Sequence, residues 1–232
     1  MQFETSVSEI IQRTYNVKSF RFPRPSSFDY KAGQFLLITI KSGDQELEKH
    51  FSFSSSPTET DHIEFTKKLT GHEFSNALDA MKVGDWAEID APYGSFTFEG
   101  EYEKLVLLSG GIGITPLISI CKYCTDKQLP TKITLLYGNR TEKDIAFRKE
   151  LEEMQKKNKN LRVVLTIDEP GEGWTGSKGR IDAAVIMKEI PDYMGRMFYT
   201  CGPPGMIQVM DGILEGLRIP QGQIKRENFA GY

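Results

Sequence analysis

Residues 105–116 read Leu-Val-Leu-Leu-Ser-Gly-Gly-Ile-Gly-Ile-Thr-Pro, which is the pattern of a strand, a glycine-rich turn and the start of a helix. Its four leading apolar residues are typical of a strand that is buried on both faces of a parallel sheet. The three glycines lack Cβ atoms, so the chain can turn tightly and bring its N–H groups close to a ligand. Thr115 is a favourable N-cap and Pro116 a favourable first helical residue. We therefore expect a helix N-terminus here, which attracts an anion such as a pyrophosphate.

This loop does not by itself establish a dinucleotide site. Its Gly-Ile-Gly matches the first part of the G-x-G-x-x-G fingerprint, but Pro116 stands where the third glycine belongs. A corner that only packs a strand against a helix is the alternative. A second turn lies at Cys201, which ends another apolar stretch and precedes a Gly-Pro-Pro sequence. Ligands of open parallel sheets bind beyond such strand ends. A small buried cysteine is the commoner role of this residue type, but the position of Cys201 favours a thiol at the sheet edge instead of inside the core.

Composition indicates a globular protein without a nucleic-acid partner. The chain has 232 residues, 39% of them hydrophobic, which suffices for one large domain or two ordinary ones. Its net charge of -3 gives no long-range attraction to nucleic acid or to an anionic membrane. Scattered charges in residues 1–20 argue against a signal peptide, and the uncharged run at residues 105–121 is short for a membrane span. We expect a cytoplasmic protein with no membrane span.

The three cysteines are too few for a disulfide framework. Cys121 and Cys124 form a C-x-x-C pair, but no second pair or nearby histidine completes a zinc or iron–sulfur ligand set. We interpret the pair as one turn of a helix and expect no metal site.

The first half of the chain is typical of an antiparallel barrel. Short β-rich stretches, such as residues 34–40 and 86–89, alternate with turns rich in Gly, Asp and Ser. One helix is expected within this half, introduced by Gly71, capped by Ser75 and continuing to Met81.

The second half is predicted to be α/β, because strands and helices alternate and so form a parallel sheet covered by helices on both faces. Charged residues at positions 99–104 mark the boundary, which gives predicted domains at residues 1–99 and 104–232. The predicted strands are residues 105–109, 133–137, 161–167, 197–201 and 224–229, and the further helices are residues 144–157, 183–189 and 204–217.

Residues 49–57 read Lys-His-Phe-Ser-Phe-Ser-Ser-Ser-Pro. Strand alternation places the lysine and both phenylalanines on one face, and the histidine and two serines on the other. Such a segment suits a surface that meets a flat ring and its polar edge. A serine-rich strand end that leads into a turn is the alternative.

With these motifs in this order, the chain resembles the ferredoxin–NADP reductase superfamily over essentially its whole length. The matching motifs are Lys49, Phe51, Ser52 and Ser55 for the flavin signature Arg-x-Tyr-Ser-x-x-Ser, residues 91–96 for the turn Gly-Pro-x-Gly-x-Phe, and residues 110–116 and 201–204 for the nicotinamide-cofactor motifs. Four motifs with the family's order and spacing make the resemblance specific.

The resemblance implies a two-domain α+β fold. A six-stranded antiparallel flavin-binding barrel would precede an α/β nucleotide-binding domain with a parallel five-stranded sheet. FAD, with FMN less favoured, and NADH or NADPH would be the cofactors. In such proteins a hydride passes from the nicotinamide to flavin N5, and the flavin then releases electrons one at a time. Because this sequence contains no iron–sulfur ligand set, the one-electron acceptor would be a protein on another chain.

The resemblance also implies roles for single residues. Ser52, Cys201 and Glu227 are the candidate catalytic residues, near flavin N5, near nicotinamide C4 and at the far side of the flavin, respectively. Phe51 would pack on the isoalloxazine and Lys49 would meet the flavin phosphates. The candidate cofactor-binding residues are Lys49, His50, Phe51, Ser52, Phe53, Ser54, Thr66, Gly71, Ser75, Asn76, Gly110, Gly111, Gly113, Ile114, Thr115, Asn139, Arg140, Cys201, Gly202, Pro203, Phe229 and Tyr232.

Two departures from the family pattern affect the expected affinities. Lys49 lacks the bidentate fork of the family's arginine and Phe51 lacks a hydroxyl, so weaker flavin binding is expected. Arg140 could hold a 2′-phosphate, but Asp168 and Glu169 end the next strand and would repel one. The sequence therefore slightly favours NADH.

The function implied is a flavoprotein reductase that supplies electrons to another protein. A free-flavin reductase, a flavin-binding relay or regulatory subunit, and a dinucleotide-binding module without redox chemistry are the alternatives. Near the C-terminus, either Phe229 or Tyr232 would cover the flavin face. Phe229 has the family's spacing from Glu227, whereas Tyr232 follows a flexible glycine.

Overall fold

The computed structural model describes residues 1–228. The first half is an antiparallel barrel made of two sheets, with strand orders β1-β7-β4-β5 and β2-β3-β6. Its elements are β1 (Gln2–Ser6), β2 (Glu9–Thr14), β3 (Val17–Pro23), β4 (Phe35–Ser42), β5 (Gln45–Ser52), β6 (His62–Lys68), α1 (Glu73–Ala80) and β7 (Trp86–Tyr93).

The described part of the barrel has seven strands where six were expected. The difference arises at Val7 and Ser8, where the chain crosses from one sheet to the other. The Val7 N–H donates to Asp85 at 3.0 Å, next to β7, and the Ser8 N–H donates to Arg21 of β3 at 2.8 Å. One long strand therefore becomes the two short strands β1 and β2.

Aromatic rings fill the barrel, as the alternation of inward positions dictates. Phe65 of β6 lies at the centre of this core, with its ring centroid 5.4 Å from that of Phe20 and 4.7 Å from that of Phe51. All three side chains are buried. The core thus forms between the two sheets and extends to the end of β5.

The second half is a parallel sheet with strand order β11-β10-β9-β8-β12-β13. Its elements are β8 (Lys104–Gly110), α2 (Ile114–Asp126), β9 (Lys132–Asn139), α3 (Arg148–Lys157), β10 (Leu161–Ile167), β11 (Ser177–Lys178), α4 (Ala183–Glu189), β12 (Met197–Gly202), α5 (Pro204–Gly216) and β13 (Ile224–Asn228).

Six strands replace the five that were predicted, because the two-residue strand β11 pairs with the end of β10. Separate apolar cores on the two faces confirm that helices cover both sides of the sheet: one core includes residues of α2 and α3, the other residues of α4 and α5. The strand order reverses between β8 and β12, which is where open α/β sheets form a ligand crevice.

Three of the predicted helix starts require correction, whereas α4 and α5 begin at Ala183 and Pro204 as predicted. The helix expected from residue 144 begins at Arg148, because a separate 3₁₀ turn covers Glu142–Asp144. A 3₁₀ turn over Gly111–Gly113 precedes α2, so Thr115 is not the N-cap and Pro116 is not the first helical residue. Ser75 is not the N-cap of α1 either, since His72 occupies that position. The chain already turns at Gly71, whose φ of +77° is readily adopted by glycine.

The two halves meet across a mixed interface. The Tyr199 hydroxyl of β12 donates to the Thr97 carbonyl at 2.8 Å, and the ring packs edge-on against Phe96 at 5.1 Å. Arg13 of β2 forms an ion pair with Glu150 of α3. Within residues 1–228 no helix is both long and apolar enough to span a bilayer.

Candidate functional site

A cleft of about 600 Å³ lies beside the barrel, which we call the flavin groove. It lies between β5 and β6, which belong to different sheets. Just beyond the end of β5, Phe53 forms an isolated bridge with Phe65 of β6. The residues that line the flavin groove are Leu37, Leu47, Glu48, Lys49, His50, Phe51, Lys67, Thr70, His72, Glu73, Phe74 and Ser75. Four predicted cofactor-binding residues, Lys49, His50, Phe51 and Ser75, are therefore brought together.

Lys67 is a groove residue that the sequence reasoning missed. Its side chain is only 6% exposed, and its Nζ lies 5.9 Å from the centroid of the Phe51 ring. Burial, together with the positive charge of Lys49, lowers the pKa of Lys67 to about 8. One signal could have identified it, because it follows Phe65 at a spacing of two and so belongs to the inward face.

The first turn of α1 forms one wall of the flavin groove. Glu73, Phe74 and Ser75 line it, with the N–H groups of a helix start nearby. The Ser75 oxygen accepts the Thr70 N–H at 2.8 Å, so its own O–H can still donate to a ligand. The wall therefore combines hydrogen-bond donors with the cations of Lys49 and Lys67.

Ser52 lies at the end of β5, opposite Phe35 of β4. Its Oγ is buried and has no hydrogen-bond partner among residues 1–228. Buried hydroxyls in proteins are nearly always satisfied. This oxygen thus fits a site in which a bound molecule completes its hydrogen bonding.

The glycine-rich loop, residues 110–115, makes close contact with the end of β12. A Cβ on Gly113 would lie 2.6 Å from the Gly202 Cα, so only glycine allows α2 to approach β12 so closely. Gly111 has a φ of +52° and open space on its Cβ side. Its carbonyl accepts the Tyr137 hydroxyl at 3.0 Å. The loop is thus held by its contacts with Tyr137 and Gly202, while the Cβ side of Gly111 is open to a ligand, as a phosphate-binding loop requires.

Cys201 is fully buried between two strands, paired with Ser109 of β8 and Glu227 of β13. The prediction of a thiol outside the core is wrong, because the residue packs in the apolar core between the sheet and α2. Burial, and to a lesser extent the charge of Glu227, raises the pKa of the Cys201 thiol. The group is therefore a neutral thiol and not a nucleophilic thiolate.

The interdomain cavity, of about 550 Å³, separates the barrel from β13. The residues that line it are Phe35, Gly94, Ser95, Phe96, Lys225, Arg226, Glu227 and Asn228. The Glu227 Oε2 is buried without a partner among residues 1–228, and burial raises the pKa of this carboxyl to about 8. Phe35 links the cavity to Ser52, its strand partner.

Three predicted cofactor-binding side chains lie in the interior instead. Phe53 belongs to the barrel core, with its ring centroid 4.1 Å from that of Tyr30. The Ser54 hydroxyl donates to Glu64 at 2.8 Å and lies 2.8 Å from the Thr66 hydroxyl, so both are part of a buried polar network. The predicted two-faced surface is wrong here, because the chain leaves β5 after Ser52 and enters the core.

The remaining predicted residues are distributed at the edges of the two regions. Asn76 donates its side-chain amide to the Gly71 carbonyl at 2.9 Å, which stabilises the turn before α1. Asn139 is buried at the end of β9, and the next residue, Arg140, is 74% exposed and bonded to Glu169 at 3.0 Å. Phe229 and Tyr232 lie outside the described residues.

The C-x-x-C pair lies within α2, as expected. Cys121 and Cys124 are both buried and free. Burial raises the pKa of both thiols, that of Cys124 to about 12, so they act as small apolar residues.

Two family models match the chain. The Oxidoreductase FAD-binding domain matches residues 4–98, and the Oxidoreductase NAD-binding domain matches residues 107–211. The first match contains the flavin groove and the second contains the glycine-rich loop and Cys201.

Individual relatives extend this result. NADH-cytochrome b5 reductase 1 of Dictyostelium discoideum is 30% identical over 90% of this chain and 76% of that protein. The glycine betaine monooxygenase reductase subunit of Chromohalobacter salexigens is 28% identical over 95% of this chain, which spans 62% of that protein. Among solved structures, the cytochrome b5 reductase domain of Ulva prolifera nitrate reductase has a TM-score of 0.86 at 26% identity, covering 99% of this chain and 97% of that one.

Fold and site together define a flavoprotein oxidoreductase with an FAD-binding and an NAD-binding domain. The chain belongs to the family of flavoprotein oxidoreductases that combine these two domains. It shares its fold with a ferredoxin NADP+ reductase, as the resemblance implied. The residues present fit FAD, because the groove offers two cations and a helix start for the phosphates. The strand that lines the groove ends at Ser52, whose hydroxyl, unpartnered within the described part of the chain, is suited to the flavin ring.

Proposed function

We propose that this chain is an NADH-dependent reductase with bound FAD that passes electrons to an acceptor protein on a separate chain. The proposal rests on one observation: the strand end that carries Ser52 and the strand end that carries Cys201 are connected through the interdomain cavity. Cys201 pairs with Glu227, Glu227 borders the interdomain cavity, and Phe35 joins that cavity to Ser52. When bound, the cofactors supply the redox chemistry, in which a hydride leaves nicotinamide C4 for flavin N5 and the flavin then releases its electrons singly.

The chain's own residues bind and orient. Lys49, Lys67 and the first turn of α1 hold the FAD phosphates by charge-assisted hydrogen bonds. The Ser52 hydroxyl, which is buried without a partner among residues 1–228, would donate a hydrogen bond to the flavin and so orient its ring. Cys201, a buried neutral thiol, would lie directly behind the surface on which the nicotinamide rests. Glu227, with its pKa near 8, keeps a proton on its carboxyl at neutral pH beside that surface.

Preference for NADH rests on the ends of β9 and β10. Glu169 accepts a hydrogen bond from Arg140 at 3.0 Å, and Asp168 accepts one from Arg180 at 3.1 Å. The arginine that could hold a 2′-phosphate is therefore already paired, and the carboxylates beside it repel a phosphate.

The separate acceptor is supported by the relative from Chromohalobacter salexigens, which is named a reductase subunit. We also propose domain boundaries at residues 99 and 104, in the charged segment between β7 and β8. A cytoplasmic location agrees with the three free thiols, since such thiols are typical of a reducing compartment.

Anaerobic titration of the purified protein tests this function. The expected result is a protein with bound FAD whose visible absorbance bleaches on addition of NADH and much less on addition of NADPH. A colourless protein that oxidises NADH only with added flavin would support the free-flavin reductase. A protein with bound flavin that responds to neither nucleotide would contradict the proposal.

A further inference from the structure

The segment that follows Ser52 is held from the second half of the chain. The Ser119 hydroxyl of α2 donates to the Ser55 carbonyl at 2.6 Å. One turn further along the same helix, the Lys122 Nζ donates to the Ser54 carbonyl at 3.1 Å and pairs with Glu59 at 3.3 Å. Ser119, Ser54 and Ser55 are fully buried. We call these contacts the α2 clamp.

The barrel holds the same segment from the opposite side. The Ser54 N–H donates to the Glu64 carbonyl and the Ser54 hydroxyl to the Glu64 carboxylate, both at 2.8 Å. Glu64 also accepts from Arg13 at 3.0 Å and from Arg21 at 2.8 Å. Burial alone would raise the pKa of Glu64, but these cations with Lys122 and the Ser54 hydroxyl hold it below its usual value. The segment is therefore bonded on two sides and cannot shift freely.

Helix α2 carries the other site at its N-terminus. The turn at Gly113 rests on the Cys201 carbonyl and on Gly202. Ser119 follows Gly113 by six residues, which on a helix is roughly 9 Å. One rigid element thus joins the glycine-rich loop and Cys201 to the strand end that carries Ser52.

We propose that Ser119 and Lys122 are positioning residues that set the separation between the flavin-binding strand end and the nucleotide-binding loop. The proposal rests on the proposed function, because the two cofactors must lie at reacting distance for transfer. Neither side chain lines the flavin groove or the interdomain cavity, so their loss leaves both binding surfaces in place. What changes is the alignment, to which transfer rates respond steeply.

The test compares Lys122→Met with Lys127→Met, an exposed lysine at the end of the same helix. FAD affinity, NADH affinity and the rate of flavin reduction by saturating NADH are measured for each. For Lys122→Met, a fall of about tenfold in the reduction rate is expected with both affinities unchanged. Lys122→Arg, which keeps a positively charged hydrogen-bond donor, should retain most of the wild-type reduction rate. The Lys127→Met protein should behave as wild type.

Ser119→Ala is a second variant, and amide exchange at residues 54 and 55 is a second measurement. Faster exchange there in either variant is expected if the clamp holds this segment. An unchanged reduction rate in both variants overturns the proposal, and so does a loss of FAD affinity that accounts for the whole loss of rate. If NADH does not reduce the wild-type protein, the proposed function is wrong, and this result differs from an unchanged rate in the variants, which contradicts only the positioning role.

Discussion

At the scale of single residues, Cys201 affects placement and not binding. Its thiol is buried, neutral and next to Glu227. We expect Cys201→Ala to slow flavin reduction by at least about tenfold, because the nicotinamide loses a surface against which it is oriented. The dissociation constant for the nucleotide should change less than about threefold, since the phosphates bind elsewhere. Rapid mixing with NADH measures both, and an unchanged rate would remove Cys201 from the site.

Lys67 is expected to bind the phosphate part of FAD. Losing one charge-assisted hydrogen bond costs about 1.5–3 kcal/mol, so Lys67→Met should weaken FAD about 10–100-fold. Riboflavin, which has no phosphate, should bind both proteins equally. Titration of the apoproteins by flavin fluorescence measures this, with the exposed Lys82→Met as control. Equal weakening of riboflavin and FAD would show that Lys67 only supports the fold.

Glu227 gives the apoprotein a stability that depends on pH. Its carboxyl has a pKa of about 8 in the folded state and an ordinary value of 4.5. The folded state therefore binds the proton more tightly, and stability falls as pH rises from about 4.5 through about 8. Glu227→Gln removes this penalty. In thermal unfolding, the melting temperature of the variant relative to wild type should increase as pH rises. If the two melting temperatures change in parallel with pH, the assigned burial of Glu227 is contradicted.

At the scale of elements, the two glycines of one turn should fail differently. Gly111→Val meets no neighbour but forces a β-branched residue to a positive φ, which costs about 1–3 kcal/mol and places bulk on the ligand side. Nucleotide affinity should fall while FAD content stays normal. Gly113→Ala places a Cβ against the Cys201 carbonyl oxygen and 2.6 Å from the Gly202 Cα, so it should lower thermal stability more than Gly111→Val does. Isothermal titration and thermal unfolding separate the two effects.

The strands of the second half were predicted to within a few residues, because runs such as residues 105–108 are apolar on both faces. The starts of α4 and α5 were predicted correctly as well, but the start of α2 was not, since its first turn depends on how Gly113 packs against Gly202, a residue distant in sequence. Ser54 was misplaced for the same reason. Its partner Glu64 is ten residues away, and the local pattern does not show it. Lys67 was missed because a lysine in a strand is ordinarily expected to be exposed to solvent, even where the alternation places it on the inward face.

At the scale of the whole molecule, Arg13 joins the two halves. It bonds Glu64 of the barrel, pairs with Glu150 of α3, and lies 4.6 Å above the Phe147 ring. Arg13→Met leaves Glu64 with one fewer cation and should lower the free energy of unfolding by about 3 kcal/mol. Arg180→Met, at an exposed pair, should cost less than about 1 kcal/mol. Denaturant unfolding compares them, and equal losses would contradict a buried role for the Arg13–Glu64 pair.

The central claim is that the chain brings NADH and FAD together for direct transfer, and one measurement addresses it. The FAD-loaded protein is mixed anaerobically with NADH that carries deuterium at either position of C4, and flavin absorbance is followed. Loss of flavin absorbance, slowed by deuterium at one of the two positions and hardly affected at the other, is the result expected from a site with a single nicotinamide orientation. Absorbance that stays constant, or a rate insensitive to deuterium at both positions under conditions where transfer limits the rate, would contradict the account.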